Sequence, residues 1–382
     1  LVERVVGKMG SSMLVKVRHV RHDGRFLLKY LTPKACSEPH AIDQFLQAAR
    51  ASMRLRSEHT AHTVDAGRLS GGLPCLVTES FHGSELREIL RVRGAFGREA
   101  AVDLALQAAH SVSEAHRHGI AHGSLSPSAL FLTSGPEGQP LLKVLDFGSA
   151  ATLRRDPLSI RLRHWTQGTA VFSESIRLWD TVACTAPERL RGSSEATTAG
   201  DVWALGAILY EMLLGAPPFA ALSTPALVAA IAADRPESAR KLGQSLPHEL
   251  ERVVLRCLAK DPDARFQSVH ELAVALRRFA SPEVRPIVER IERIQDYDPE
   301  QPLRFVPSRG LPGAHPEHST TLGTEQPPAT RHSGRRRWGA SLLFATVGAL
   351  AGVLLGTFVG RVLTSHDRSS LPSLFVSSGQ HR

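Results

Sequence analysis

Residues 118–132 read His118-Gly119-Ile120-Ala121-His122-Gly123-Ser124-Leu125-Ser126-Pro127-Ser128-Ala129-Leu130-Phe131-Leu132. The polar side chains of this stretch are alcohols and imidazoles, and no carboxylate stands among them. A serine hydroxyl does not titrate near neutrality, so Ser124 cannot take up a proton as an acid's conjugate base would. Upstream, Arg98 to His118 carries apolar residues at helical spacing; downstream lies Asp146-Phe147-Gly148.

Farther out, the chain changes grain once. From Val2 to Leu31 apolar and polar residues alternate between Gly and Asp, which predicts three short strands, the last at Arg25 to Leu31. A helical pattern covers Ala41 to Leu55. Strand signals return at Thr60 to Gly67 and Leu73 to Glu79, with Ser70-Gly71-Gly72 as a hairpin turn. After His82-Gly83 the pattern is helical, at Ser84 to Val92, Arg98 to His118, Thr198 to Leu214, Thr224 to Ala233, Pro247 to Ala259 and Ser268 to Phe279. Strands first and helices afterwards make an α+β chain.

Several short motifs recur in fixed order: Lys29 in Phe26-Leu27-Leu28-Lys29, Leu76-Val77-Thr78-Glu79, Asp146-Phe147-Gly148, Ala186-Pro187-Glu188, Asp201-Val202-Trp203-Ala204-Leu205-Gly206, and Leu258-Ala259-Lys260-Asp261-Pro262 with Arg265-Phe266. Together they resemble the protein-kinase family over about Val2 to Ala280, and the layout is similar to bacterial membrane-anchored serine/threonine kinases. The resemblance implies a two-lobed fold at 1–280, a small sheet-rich N-lobe at about 1–82 and a helical C-lobe at about 83–280. It also implies ATP and Mg²⁺ as cofactors, Lys29 for the phosphates, Glu79 entering the hinge, and Asp146 for the metal. His122, Phe147, Gly148, Glu188, Asp201 and Arg265 take the family's structural positions, with Arg265 pairing Glu188.

The residues that would do the chemistry depart from that pattern. On the catalytic-loop register the family's Arg falls on Gly123, its catalytic Asp on Ser124, its Lys on Ser126 and its Asn on Ala129. In the glycine loop Gly7 and Gly10 remain, but Met9 and Ser12 stand at the second and third glycines. The helix that should supply a Glu to Lys29 has Ala48 beside Gln47, and Leu27 replaces a small Ala at the adenine pocket. The expectation is a pseudokinase, for which ATP and Mg²⁺ are doubtful; the alternative is an active or weakly active serine/threonine kinase using Lys29 and Asp146 with a nonstandard base. A third reading is nucleotide sensing without catalysis. Asp146 can also serve simply as a turn cap.

The 46 Lys and Arg residues against 37 Asp and Glu give a formal charge of +9. With 5% aromatics there are few stacking platforms for single-stranded nucleic acid, and no nucleic-acid partner is expected. Cys36, Cys75, Cys184 and Cys257 are scattered without a Cys-x-x-Cys pair, which fits a reducing compartment. His110, His116, His118 and His122 match no zinc spacing. No secretory leader is expected, and Leu1 already falls in the first strand. The segment between Asp146 and Glu188 is basic, with Arg154, Arg155, Arg161, Arg163, His164 and Arg177, a run suited to a mobile solvated loop or to docking an acidic partner.

Beyond Ala280 a short charged helix is expected at about Glu283 to Ile294, within a juxtamembrane Pro-rich linker over 281–337. Residues 338–360 are uncharged for about the length that crosses a bilayer, with Arg335-Arg336-Arg337 on the N-terminal side. That asymmetry predicts one C-terminal transmembrane helix in the cytoplasmic membrane, the kinase-like region in the cytoplasm and a short outer tail at 361–382. Gly348, Gly352, Gly356 and Gly360 recur every fourth residue, which suggests a homodimer through the span, and protein partners in signalling are expected. The Arg triplet also suits anionic lipid.

Overall fold

The computed structural model describes residues 1–9, 12–21, 24–38, 40–147, 179–192, 196–243 and 245–295. All of them belong to one compact unit, Leu1–Arg304. Gly10, Gly148, the basic run from Arg154 to Arg177, the rest of the linker, the 338–360 segment with its four glycines, and the tail lie outside the described residues. Among the described residues no helix is long and apolar enough to cross a membrane.

The N-terminal part is one antiparallel sheet: β1 (Val2–Met9), β2 (Ser12–Arg18), β3 (Arg25–Leu31), β4 (Thr63–Arg68) and β5 (Pro74–Glu79), in the order β1-β2-β3-β5-β4. Central β3 sets Lys29 opposite Leu14 on one side and Leu76 on the other. Between β3 and β4 come α1 (Pro33–Cys36) and α2 (Ala41–Ser52), and Phe45 of α2 packs with Leu31 and Ala35 in a small core. Helix α2 ends at Ser52, three residues before the expected Leu55.

The second part is built around two helices, α4 (Arg98–Arg117) and α6 (Thr198–Leu214); among the described residues it also contains α3 (Leu86–Arg93), α5 (Pro187–Leu190), α7 (Thr224–Ala233), α8 (His248–Cys257), α9 (Val269–Leu276) and α10 (Arg285–Gln295). From Asp201 to Leu214 every residue of α6 is buried, as an almost unbroken apolar run requires. Thr197 caps its start by accepting from the Gly200 N–H, and Gly215, at φ +75°, ends it. A Cβ on Gly206 would come within 2.3 Å of the Cys257 Cβ, so the closeness of α6 to α8 depends on that glycine.

Two findings were not expected from the sequence. A three-stranded antiparallel sheet of β6 (Gly83–Glu85), β7 (Leu130–Ser134) and β8 (Pro140–Val144) lies within the helical part, because Ser84 and Glu85 pair with β7 before α3 begins. And α10, inside the stretch assigned to the linker, is part of the fold: Ile287, Val288 and Ile291 are buried against the core, and the helix packs on α4 and α9.

Candidate functional site: a loop on Asp201 and an ion pair in the cleft

The loop from His118 to Ala129 is hung on a single carboxylate. Asp201, in the first turn of α6 and 1% exposed, accepts from the backbone N–H of His122 at 2.7 Å and of Gly123 at 2.8 Å, and from His116 Nε2 at 2.8 Å. Burial alone would raise its pKa, but these donors, His116 first, hold it below the ordinary aspartate value. His122 is fully buried. Its Nε2 donates to the Leu145 carbonyl at 2.8 Å and its Nδ1 accepts from the Ser124 N–H at 3.3 Å, so the neutral ring uses both nitrogens. Burial lowers its pKa accordingly. The Phe147 ring meets the His122 ring edge-on at 4.8 Å. Gly123 has φ +68°, a left-handed conformation that suits glycine.

The same loop carries Ser124, Ser126 and Ala129, the positions that the resemblance assigns to the chemistry. Ser126 and Ala129 are buried, and Ala129 uses its backbone on the Ser126 carbonyl and the Leu145 N–H. Ser124 borders a small cavity, with Gly123, Leu125, Cys184, Arg189 and Asp201 among its walls. The Arg189 guanidinium donates to the Gly123 carbonyl.

Across the cleft, Lys29 Nζ donates to Asp146 Oδ1 at 2.8 Å; the side chains are 13% and 28% exposed. Asp146 has φ +62°, a conformation uncommon for residues with a Cβ. Helix α2 offers Lys29 no acid: Ala48 is buried, Gln47 is exposed, and the one acid of the helix, Asp43, is exposed. Lys29 and Asp146, 117 residues apart, are thus brought together as the motifs imply, but on each other.

Glu79 ends β5, and its carboxylate accepts from the His62 N–H at 2.9 Å and from the buried Lys143 ammonium at 3.1 Å, tying β5 to β8. At Gly7 a Cβ would meet nothing within 4 Å, so the surroundings of that position do not require glycine. Arg265, 0% exposed, makes a two-pronged pair with Glu188 at 2.8 and 2.7 Å and also donates to the carbonyls of Ala199 and Ala259.

One cluster was missed. Arg87 of α3 donates to Asp180 at 2.7 Å and grips Glu211 of α6 at 2.6 and 2.9 Å, while Ser128 Oγ donates to the same Asp180. Both acids are buried, and Cys184 beside them has its thiol pKa raised, chiefly by burial and then by the two carboxylates. The available signal was a lone Glu inside the apolar run of α6, since a buried charge needs a partner.

For magnesium, position 129 carries a methyl where the resemblance implies an amide, and the carboxylate of Asp146 accepts from Lys29. Among the described residues no group of three or more His, Cys, Asp or Glu is arranged to hold a metal.

Comparison with known proteins gives the same frame. The protein kinase domain matches residues 2–275. Serine/threonine-protein kinase PknB of Mycolicibacterium smegmatis is 28% identical over 277 residues, 72% of this chain and 42% of that protein. Serine/threonine-protein kinases drp72 of Corynebacterium efficiens is 30% identical over 276 residues, 71% of this chain and 49% of that protein. The chain spans about half the length of the curated relatives it matches. Among solved structures, the PknI kinase domain of Mycobacterium tuberculosis superposes with a TM-score of 0.54 at 21% identity, covering 73% of this chain and 95% of that one, a likeness of fold. With these matches and the two-part architecture together, the chain belongs to the protein kinase family, with homology to the bacterial serine/threonine kinases.

Proposed function

We propose that this chain is a membrane-tethered serine/threonine kinase homologue that no longer transfers phosphate and acts as a binding module or scaffold in signalling. The observation that carries the reading is Ser124 on a loop whose register is fixed by Asp201 and His122. Phosphoryl transfer to a hydroxyl needs a group to orient the nucleophile and accept its proton. Losing general-base help costs on the order of 10² to 10⁴ in rate. Ala129 in place of an amide and the absence of a helix acid for Lys29 add to that loss.

The membrane part rests on the uncharged 338–360 run behind Arg335-Arg336-Arg337, which sets the kinase-like region on the cytoplasmic side. The glycine stripe at Gly348, Gly352, Gly356 and Gly360 supports a homodimer through that span. Retention of both Lys29 and Asp146 in the cleft favours a second reading, a weakly active ATP-dependent kinase. Incubating the full chain with γ-labelled ATP, Mg²⁺ and generic acceptor proteins decides between them. The scaffold reading expects no more label than a Lys29→Met control; label in excess of that control establishes the kinase reading instead.

A further inference from the structure

We propose that the arginines gathered where α2, α4 and α10 end form a docking surface for anionic lipid headgroups, an inference that rests on the membrane-tethered reading above and adds which face of the fold meets the bilayer.

Hydrogen bonds bring the three ends together. The backbone N–H groups of Arg56 and Ser57 both donate to the Glu114 carboxylate, each at 2.8 Å, which seats the loop after α2 on the last turn of α4. Arg290 of α10 pairs with Glu58 of the same loop at 2.6 Å, and α10 packs along α4. Around this junction stand Arg50 in the last turn of α2, Arg54 and Arg56 in the loop, and Arg293 one turn beyond Arg290, all of them exposed. Among the described residues no ion pair takes up any of these four guanidiniums; Arg293 donates to the Glu289 carbonyl of its own helix at 3.3 Å. The acids nearby are already engaged. Glu114 holds two N–H groups, Glu58 holds Arg290, and Glu292 lies 4.0 Å from His270.

The chemistry favours headgroups over a protein. None of the large apolar side chains exposed on the described surface belongs to the end of α2, the loop after it or α10, so the patch lacks the apolar anchor that a protein interface is built around. A leaflet of phosphates needs none. It attracts cations over a Debye length, and each arginine brought to it raises surface partition about fivefold. Guanidinium forks also match phosphate oxygens in pairs. The chain itself supplies the surface: α10 ends at Gln295, two residues past Arg293, and only residues 296–337 separate it from the uncharged 338–360 run. A fold tethered in this way meets the leaflet at high effective concentration, so a weak contribution from each arginine is enough.

The test reconstitutes the full chain in discs of phosphatidylcholine alone and in discs with phosphatidylglycerol added. Arginines are modified with phenylglyoxal and followed peptide by peptide by mass spectrometry. In phosphatidylglycerol discs the modification of Arg50, Arg54, Arg56 and Arg293 is expected to slow about fivefold, while Arg21 and Arg252, exposed elsewhere, keep their rates. Half-molar salt, which cuts the screening length to about 4 Å, is expected to return all four to their rates in neutral discs. Arg50→Glu/Arg54→Glu is expected to release Arg56 and Arg293 in the same way; should its melting curve show a loss of folding, Arg293→Glu takes its place and Arg54 and Arg56 are followed. Equal rates in the two kinds of disc would overturn the inference, as would a slowing that Arg21 and Arg252 share. Protection by soluble polyglutamate in neutral discs, with none from phosphatidylglycerol, would also overturn it and assign the surface to an acidic protein. Release of the chain from vesicles by alkaline carbonate would refute the membrane span, yet the footprint on anionic vesicles at low salt would still decide on the patch, so the two failures are distinguishable.

Discussion

At position 124 a serine stands where the resemblance implies an aspartate, and other single residues hold the loop that carries it. The substitution at Ser124 was legible because Gly119 to Pro127 keeps its register against Asp146 downstream. The support of that loop was legible only in part. Asp201 was readable from its place at the start of α6, but His116 as a third donor to it was not, since its approach depends on how α4 crosses α6. Arg265 was readable with its partner. It is fully buried, so replacing it by Met leaves Glu188 without the guanidinium that keeps its pKa below the usual carboxylate range against the pull of burial. Arg265→Met is expected to lower stability by about 3 kcal/mol, the usual cost of leaving one member of a buried pair alone. Urea unfolding of the full chain measures it, and a loss below about 1 kcal/mol would show that the pair matters little.

At the scale of elements, the sequence placed the long helices and the five strands of the first sheet, because their periodicities differ and each is long enough to register. It did not place β6 to β8, whose strands are three to five residues long, too short for an alternation to stand out. The short charged helix expected at about Glu283 to Ile294 is present as α10, but its packing was not legible. A short charged helix at Glu283 to Ile294 looks solvated by composition, but α10 has three apolar residues on one side, Ile287, Val288 and Ile291, and they complete the core beside α4 and α9. Arg290 of the same helix pairs with Glu58 at 2.6 Å, with both side chains about half exposed. Two variants separate these contributions. Ile291→Ala is expected to cost about 3 kcal/mol through lost burial and the cavity left behind. Arg290→Ala is expected to cost under about 1 kcal/mol, as exposed pairs do. Equal losses in thermal unfolding would mean that the charge pair holds α10 as strongly as its apolar face does.

For the whole molecule, the charge state of the core sets how stability depends on pH. His59 and His110 are buried with their rings edge to face at 5.5 Å, and burial is the main reason that both titrate at about 4 instead of the ordinary 6.5. The unfolded chain takes up protons at these residues below about 6.5, whereas the folded chain does so only near 4. Their contribution is therefore present in full above 6.5 and is lost as pH falls through that window, at up to about 1.4 kcal/mol per pH unit for each histidine. Urea midpoints at pH 7.5 and 5 are expected to fall, and to fall less in His110→Gln; an unchanged slope in that variant would remove His110 from the account. None of this was visible in the sequence, where four close histidines suggested only the absence of a zinc pattern and His59 drew no notice.

The molecule as a whole keeps a kinase's frame, and the proposed loss of phosphoryl transfer rests on Ser124. Intact-mass spectrometry of the full chain, held for several hours with millimolar ATP and Mg²⁺, counts phosphates on the protein directly. The mass gained is expected to be none, as for Lys29→Met treated in the same way. Stepwise addition of phosphate to the unaltered chain, absent from Lys29→Met, would contradict it.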